Sequence, residues 1–203
     1  MAGATVRLLT KADLAQLSVI AGKQNIIGWR LYDTLTYPAA GGVVAQNFFA
    51  DTKGAQGLVV TNLDQPNQLI SGQSMVVEKI KMNLIAAAGE ANLVTSFQDK
   101  VKIAEMAGAF TLYINNVQYA QGPLQALLGG GLIGFGDGGG GAAALPPYAT
   151  PRVVDCVEIY PYLVIPPTTS FQLVLSSEAS PALTQAVRAE VSLIGQLVRL
   201  QSA

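Results

Sequence analysis

Apolar and polar positions alternate in short segments from residue 58 onward, with turn-forming residues between the segments. The predicted strands are Leu58–Thr61, Ser74–Ile85, Phe110–Asn115, Val117–Ala120, Val153–Tyr160, Tyr162–Ile165 and Phe171–Ser176. Such alternation is typical of strands that bury one face. Because no strand–helix unit repeats, the pattern favours an all-β, antiparallel β-sandwich, a single jelly roll of about eight strands, over a doubly wound parallel sheet.

The segment Ser74–Ile85 shows this alternation and one conflict within it. Val76, Ile80, Met82 and Leu84 lie on one face, and Val77, Lys79, Lys81 and Asn83 lie on the other. Glu78 then falls on the apolar side, where a carboxylate is unfavourable. The strand prediction holds, but this position weakens the pattern.

Turn chemistry marks several strand ends. Asn115 and Asn116 tolerate a positive φ angle, which suits a tight hairpin between the strands on either side. Proline has no backbone N–H to donate to a neighbouring strand. We therefore expect central strand pairing to stop at Pro161, Pro166 and Pro167.

The N-terminal part of the chain has a different character. Thr10–Asp13 resembles a capping box, and apolar residues follow at spacings of three and four up to Gly22, which predicts a short helix. Gly28–Asp51 mixes aromatic residues with proline and glycine, which indicates an extended arm or irregular wrapping. We therefore assign residues 1–47 to an N-terminal arm and residues 48–203 to the jelly-roll domain. Docking of the arm on a neighbouring copy and on its own domain both stay open.

Two further segments fit more than one structure. The spacing of apolar residues in Asn92–Met106 is compatible with a helix inserted between strands. The tail Thr184–Leu200 fits both a helical and an alternating pattern. Strand is favoured, because Arg188, Glu190 and Ser192 alternate with apolar residues. Gly195 is then expected to mark a bulge or kink.

The composition points to surfaces that partners cover. Half of the residues are apolar and only 12% are charged, about half the usual share of roughly 25%. Exposed apolar surface promotes aggregation unless another molecule covers it. A permanently assembled subunit fits this composition, and a sticky protein with a surface rich in glycine and alanine is the alternative.

Charge and residue types exclude several functions. The formal net charge is −1 and no basic run occurs, so direct nucleic-acid binding is not expected. The chain contains no histidine, which excludes imidazole metal sites and histidine-based acid–base or nucleophilic catalysis. We predict no catalytic residue, no metal site and no cofactor, and hence no enzyme. Cys156, the single cysteine, is expected to be a buried, inert thiol.

The remaining motifs have simpler explanations than chemistry. Gly134, Gly136 and Gly139 form a GxGxxG pattern, but no helix start follows, so the glycine-rich stretch 129–147 is interpreted as a surface loop. Asp155 and Glu158 are expected on opposite faces of a strand, and Asp137 and Glu178 lie in loops. Lys79 with Lys81 and Lys100 with Lys102 fit a solvated face, and contact with an anionic lipid surface is the alternative.

The order of several segments resembles that of jelly-roll major capsid proteins of small icosahedral, tailless bacterial viruses. The segments are Phe48–Met82, Phe110–Leu127, Val164–Ser176 and Val187–Gln201. The resemblance implies a two-sheet sandwich that tiles a closed shell in a virion assembled in the host cytoplasm. It implies partners of the same chain and other virion proteins, with no catalytic residues, and leaves contact with an internal membrane open.

The leading hypothesis is therefore a structural subunit that assembles with itself into an icosahedral capsid. A receptor- or carbohydrate-binding sandwich, as in a spike or lectin-like module, is the second hypothesis. A subunit of a non-viral filament or surface layer is the third. An enzyme is the weakest, because it would need a pocket with a pKa-shifted carboxylate or lysine.

Overall fold

The computed structural model describes residues 8–9, 24–86, 98–100, 102–103, 106–128, 156–180 and 182–200. Within these ranges the strands are β1 (Leu8–Leu9), β2 (Gln24–Tyr37), β3 (Ala45–Phe48), β4 (Gln73–Ala86), β5 (Gly108–Ile114), β6 (Val117–Pro123), β7 (Val157–Ile165), β8 (Phe171–Ser177) and β9 (Val187–Leu200). Short helices span Lys53–Gln56 and Leu124–Leu127, and residues 98–100 and 102–103 are also helical.

The strands form two antiparallel sheets. The five-stranded sheet has the order β1-β7-β4-β9-β2, and the four-stranded sheet has the order β3-β8-β5-β6. The pairs β5–β6, β4–β7, β3–β8 and β2–β9 are nested, because each pair encloses the preceding one along the chain. The predicted all-β, antiparallel sandwich is confirmed.

One hydrophobic core lies between the sheets and draws residues from both. In β5 the buried residues are Phe110, Leu112 and Ile114, and in β8 they alternate in the same way from Phe171 to Leu175. This period of two sends every second side chain inward and leaves the others for the outer face.

The interpretation of Gly28–Asp51 as an irregular arm is wrong. The chain runs straight through most of this segment as β2, which pairs with β9 in unbroken register from Gln24–Leu200 to Tyr37–Val187. β3 then joins the other sheet. Of the aromatic residues in this segment, Tyr37, Phe48 and Phe49 are buried in the core, and the partly buried Trp29 packs against it. The sandwich therefore begins before residue 48.

A bulge in β4 removes the conflict at Glu78. Val77 pairs with Gly195 and Lys79 pairs with Ile194, so Glu78 is the extra residue of the bulge. The extra residue reverses the alternation, which directs both Val77 and Ile80 into the core. The carboxylate of Glu78 accepts a hydrogen bond from Gln196 Nε2 at 3.0 Å instead of entering the core.

The tail and the hairpin follow the predictions. β9 confirms the strand over the tail, although the irregularity expected at Gly195 lies in the neighbouring β4. Ile114 pairs with Val117, and the two asparagines between them have φ angles of 52° and 61°, which confirms the hairpin turn.

Two strand boundaries differ from the prediction. β7 continues through Pro161, where a break was expected, but its pairing with β4 jumps from Leu163 to Glu158 and leaves the proline out of that ladder. The predicted strand Leu58–Thr61 is wrong. These residues form a turn that ends in a single bridge between Thr61 and Asp33.

The expected helical insertion agrees with the helical residues 98–100 and 102–103, which lie between β4 and β5. Ile103 of this segment is buried in the core. The helix predicted after Thr10, the glycine-rich stretch 129–147 and the carboxylates Asp137 and Asp155 lie outside the described residues.

Candidate functional site

The two sheets differ sharply in charge. None of the residues in β3, β5, β6 and β8 is charged. The five-stranded sheet, by contrast, carries Arg30 and Asp33 in β2, Glu78, Lys79 and Lys81 in β4, Glu158 in β7, and Arg188, Glu190 and Arg199 in β9. One broad face of the sandwich is therefore formed by uncharged strands and the other by charged ones.

The outer face of the four-stranded sheet consists mainly of small and polar, uncharged side chains, with the half-buried Val174 of β8 as an apolar member. They include Ala45, Asn47, Ala109, Thr111, Tyr113, Gln121, Gln172 and Ser176, all half-buried or exposed. Depletion of charge with retention of tyrosine is the compositional mark of the central part of protein interfaces. The surface offers hydrogen-bond donors and acceptors to a partner without the desolvation cost of buried charges.

The outer face of the five-stranded sheet is crossed by a polar network. Arg30 Nε donates to Ser192 Oγ at 2.8 Å, and its guanidinium pairs with Glu190. Asn83 Nδ2 donates to the same Glu190 carboxylate at 3.1 Å, so the network links β2, β9 and β4. These contacts hold three neighbouring strands in register on this face.

The lysines of β4 lie on the same outer face, as their spacing predicted. Lys79 Nζ forms an ion pair with Glu158 at 3.2 Å, and this hydrogen bond raises the pKa of Lys79. Lys79 therefore belongs to a structural pair across β4 and β7. The two lysines of the second pair have different surroundings. Lys102 bonds to Asp99, and Lys100 is half-buried.

A buried carboxylate holds the β3–β4 connection against β2. Asp33 is fully buried on the core side of β2, where its Oδ2 accepts the N–H of Phe49 at 2.5 Å and its Oδ1 accepts that of Thr34 at 3.0 Å. Burial raises the pKa of Asp33, and these backbone N–H groups act to lower it. Phe49 has a positive φ of 72°, an uncommon backbone conformation for a residue other than glycine or asparagine.

The same connection carries an exposed apolar tip. Leu58 is 64% exposed and Val59 is 78% exposed, although both precede the buried Thr61 and Leu63. The Tyr32 hydroxyl donates to the carbonyl of Leu58, and Lys53 pairs with Asp64 at 2.6 Å at the base of the tip. The tip is therefore held in place with its apolar side chains in solvent.

A second buried carboxylate organises the opposite end of the sandwich. Asp99, fully buried in the helical segment between β4 and β5, accepts N–H bonds from Thr184 and Gln185, at 2.9 and 2.8 Å to Oδ2. Lys102 Nζ bonds to its Oδ1 at 3.1 Å. Burial acts to raise the pKa of Asp99, but these donors outweigh it and hold the pKa below the ordinary value.

An open groove lies beside this carboxylate. Lys102, Met106, Ala107, Glu178 and the following turn of the β8–β9 loop line it. Glu178, expected in a loop, lies there and is exposed. The lining has one cation, Lys102, and one anion, Glu178, among mostly small, uncharged side chains. Such a lining suits contact with another surface better than catalysis.

The described residues offer no metal site and no helix able to span a membrane. No group of three or more potential metal ligands occurs among them. None of their helices is long and apolar enough to cross a bilayer. Cys156, expected to be buried, is half-buried at the start of β7 and forms no disulfide.

The two buried carboxylates and the uncharged sheet were not identified from the sequence, because these features depend on tertiary structure. Neither Asp33 nor Asp99 stands out in the sequence, because their burial is set by distant partners. The uncharged sheet could have been found by comparing charges strand by strand.

No protein-family model, no curated protein and no solved structure matches the chain.

Proposed function

We propose that this chain is a structural subunit that assembles with copies of itself into a closed, icosahedral capsid shell. The observation that carries the proposal is the outer face of the sheet β3-β8-β5-β6, whose strands contain no charge. Charged residues normally keep an exposed sheet soluble and apart from others. Their absence from a whole sheet favours a face that a partner covers.

The topology supports the same proposal. We interpret the nested pairs β2–β9, β3–β8, β4–β7 and β5–β6 as a single jelly roll, in which a long hairpin is rolled into two four-stranded sheets. β1 adds a short fifth strand to one of them. Jelly rolls serve as capsid and lectin domains, among other functions. The sequence resemblance to jelly-roll capsid proteins favours the first of these.

The apolar tip adds a second surface for a neighbour. Leu58 and Val59 are held in solvent by ordered contacts, so the tip does not shield itself by collapsing onto the sandwich. In a shell, neighbouring subunits would cover such a tip. We propose other copies of the chain and other virion proteins as partners, with assembly in the host cytoplasm.

The experiment is to place a charge in the uncharged sheet and measure particle formation. Gln121→Lys adds an exposed lysine to β6, and Thr36→Lys adds one at an exposed position of the charged sheet as a matched control. Particle size is followed by light scattering and electron microscopy. We expect Gln121→Lys to reduce assembly strongly and the control to retain it. A wild-type protein that stays monomeric at high concentration would overturn the proposal.

A carbohydrate-binding module is the second candidate. Tyr160 is 74% exposed and forms an edge-on pair with Tyr162, with ring centroids 6.1 Å apart. Exposed aromatic rings on one strand are suited to packing against sugars, since they offer an apolar face with a polar end. A glycan array distinguishes the two: binding that Tyr160→Ala abolishes supports this candidate, and an array without binding removes it.

A further inference from the structure

The free edge of β2 is the longest open edge of the five-stranded sheet. β2 is 14 residues long and is the last strand in the order β1-β7-β4-β9-β2. An edge strand presents every second pair of N–H and C=O groups away from its sheet. If other groups of the chain bond to these N–H and C=O groups, the edge is closed. If none does, the edge can accept another strand.

The hydrogen bonds of Tyr32 fix which residues face outward. Its N–H donates to Asn62 Oδ1 at 2.9 Å, and its C=O accepts the N–H of Asn62 at 3.4 Å. In an antiparallel strand the two groups of a residue point to the same side, and the side alternates along the strand. Since β2 pairs with β9 without a bulge, Gln24, Ile26 and Gly28 face outward as well.

The C-terminal half of this edge is capped by side chains. Asn62 Nδ2 donates to the C=O of Arg30 at 2.8 Å, and Gln46 Nε2 donates to that of Thr36 at 3.1 Å. Asp33 Oδ1 accepts the N–H of Thr34 at 3.0 Å. Further pairing is thereby blocked from Arg30 onward.

Within the described part of the chain, the N-terminal half is open. No group within the described ranges bonds to the outward N–H and C=O of Gln24, Ile26 and Gly28. The stretch Gln24–Trp29 contains no charged residue and no proline, the residues that usually protect an edge. A side chain placed on Gly28 would meet nothing within 4 Å, so the sheet face beside this part of the edge is uncovered by the described residues.

We propose that β2 of one copy pairs antiparallel with β2 of a second copy about a two-fold axis at Ile26. Ile26 then lies opposite Ile26 of the second copy, and Gln24 lies opposite its Gly28. Every open N–H and C=O finds a partner in this register. The inference rests on the proposed function, self-assembly, and names one contact by which copies join their five-stranded sheets edge to edge.

Charge and symmetry favour a second copy of this chain as the occupant. Pairing this stretch with its own copy brings residues of the same few positions opposite one another, and like charges opposite each other are destabilising. The open half of β2 avoids this cost because it has no charges. Its outward groups are also symmetric about Ile26, as a two-fold contact requires. The cap at Asn62 ends the ladder before Arg30 would enter it.

The direct experiment is a disulfide cross-link. Ile26→Cys is made in a Cys156→Ser background, with Thr36→Cys as the control in the capped half of the same strand face. Paired residues across the axis have Cα atoms about 5.5 Å apart, within disulfide reach. Mild oxidation should give a covalent dimer at position 26 and not at position 36. Particles that form normally without a cross-link at position 26 would overturn the inference and leave the proposed function standing.

A second pair of variants tests the energetics. Ile26→Lys places like charges across the axis, and Thr36→Lys is the matched control. Ile26→Lys should raise the protein concentration needed for half-maximal association about tenfold or more, and the control should leave it unchanged. Circular dichroism and thermal unfolding verify that both variants fold. Equal association of the two lysine variants contradicts the inference. Cross-linked dimers that never form particles would support the inference and contradict the proposed capsid function.

Discussion

Gly195 of β9 lies directly against the backbone of Val76 in β4. A Cβ atom on Gly195 would stand 1.9 Å from the carbonyl oxygen of Val76 and 3.1 Å from the amide nitrogen of Glu78. The close approach occurs at the β4 bulge, where Glu78 is the extra residue. The glycine is therefore required by the shape of its neighbour and not by its own φ angle.

Replacing Gly195 should be among the most damaging single changes in the described part of the chain. Gly195→Ala forces apart two central strands of the five-stranded sheet, because the obstacle is backbone and cannot rotate away. We expect a loss of at least about 3 kcal/mol in the free energy of unfolding, or failure to fold. Urea denaturation at a fixed protein concentration measures it.

Gly28→Ala is the matched control, since it is also a strand glycine and its Cβ would meet nothing within 4 Å. Its unfolding free energy should stay within about 0.5 kcal/mol of wild type. Equal losses in the two variants would show that strand propensity, and not the contact with Val76, sets the cost.

Asp99 should contribute strongly to stability. Asp99→Asn replaces one carboxylate oxygen by an amide that opposes the N–H donors of Thr184 and Gln185, and it removes the ionic partner of Lys102. Breaking buried, charge-assisted hydrogen bonds costs roughly 2–3 kcal/mol. The chevron of folding and unfolding rates reports the loss. An unchanged free energy of unfolding in Asp99→Asn would contradict this stabilising role of the carboxylate.

The two buried carboxylates should give stability profiles of opposite sign in acid. The pKa of Asp99 is lowered, so its stabilisation is present above the unfolded value of 3.8 and is lost as the pH falls through the folded pKa. The pKa of Asp33 is raised, so ionised Asp33 lowers stability, and this loss disappears as the pH falls through its folded pKa toward 3.8.

Unfolding free energies of wild type, Asp99→Asn and Asp33→Asn, measured from neutral pH to pH 3, separate these effects. The advantage of wild type over Asp99→Asn should shrink below pH about 4. The difference between wild type and Asp33→Asn should change in favour of wild type as the pH falls. Parallel profiles for the two variants would contradict the assigned directions.

The hairpin turn supplies a local prediction. Asn116 has a φ of 61°, which asparagine and glycine tolerate better than other residues. Asn116→Ala should lower the free energy of unfolding by about 1 kcal/mol, whereas Asn116→Gly should keep it within about 0.5 kcal/mol. Equal stability of the alanine and glycine variants would show that the backbone conformation of this turn is not what selects asparagine.

The correct predictions from sequence were those set by local chemistry. The Asn115–Asn116 turn follows from the φ preference of asparagine, and β9 follows from its alternating pattern. The lysines of β4 were placed correctly on one face because alternation on that side of the bulge is regular. Each signal lies within a few residues of the feature that it predicts.

The failures concern features set by distant partners. In β2, Trp29, Leu31, Leu35 and Tyr37 alternate on the core side, but the acidic Asp33 falls in the same row and hides the period. Its partner β9 lies near the other end of the chain and pairs along its whole length. The bulge at Glu78 depends on the register between strands, which a single strand does not reveal. In the sequence, Asp33 and Asp99 resemble ordinary surface carboxylates. In the structure they are buried and accept hydrogen bonds from the backbone N–H groups of Phe49 and Thr184, which are distant in sequence.

Self-association is the central claim, and sedimentation velocity of the wild-type protein over a wide concentration range tests it most directly. We predict a large, discrete species of uniform sedimentation coefficient that electron microscopy shows to be closed particles. A single monomeric species at every concentration, with no particles in the images, would contradict the account.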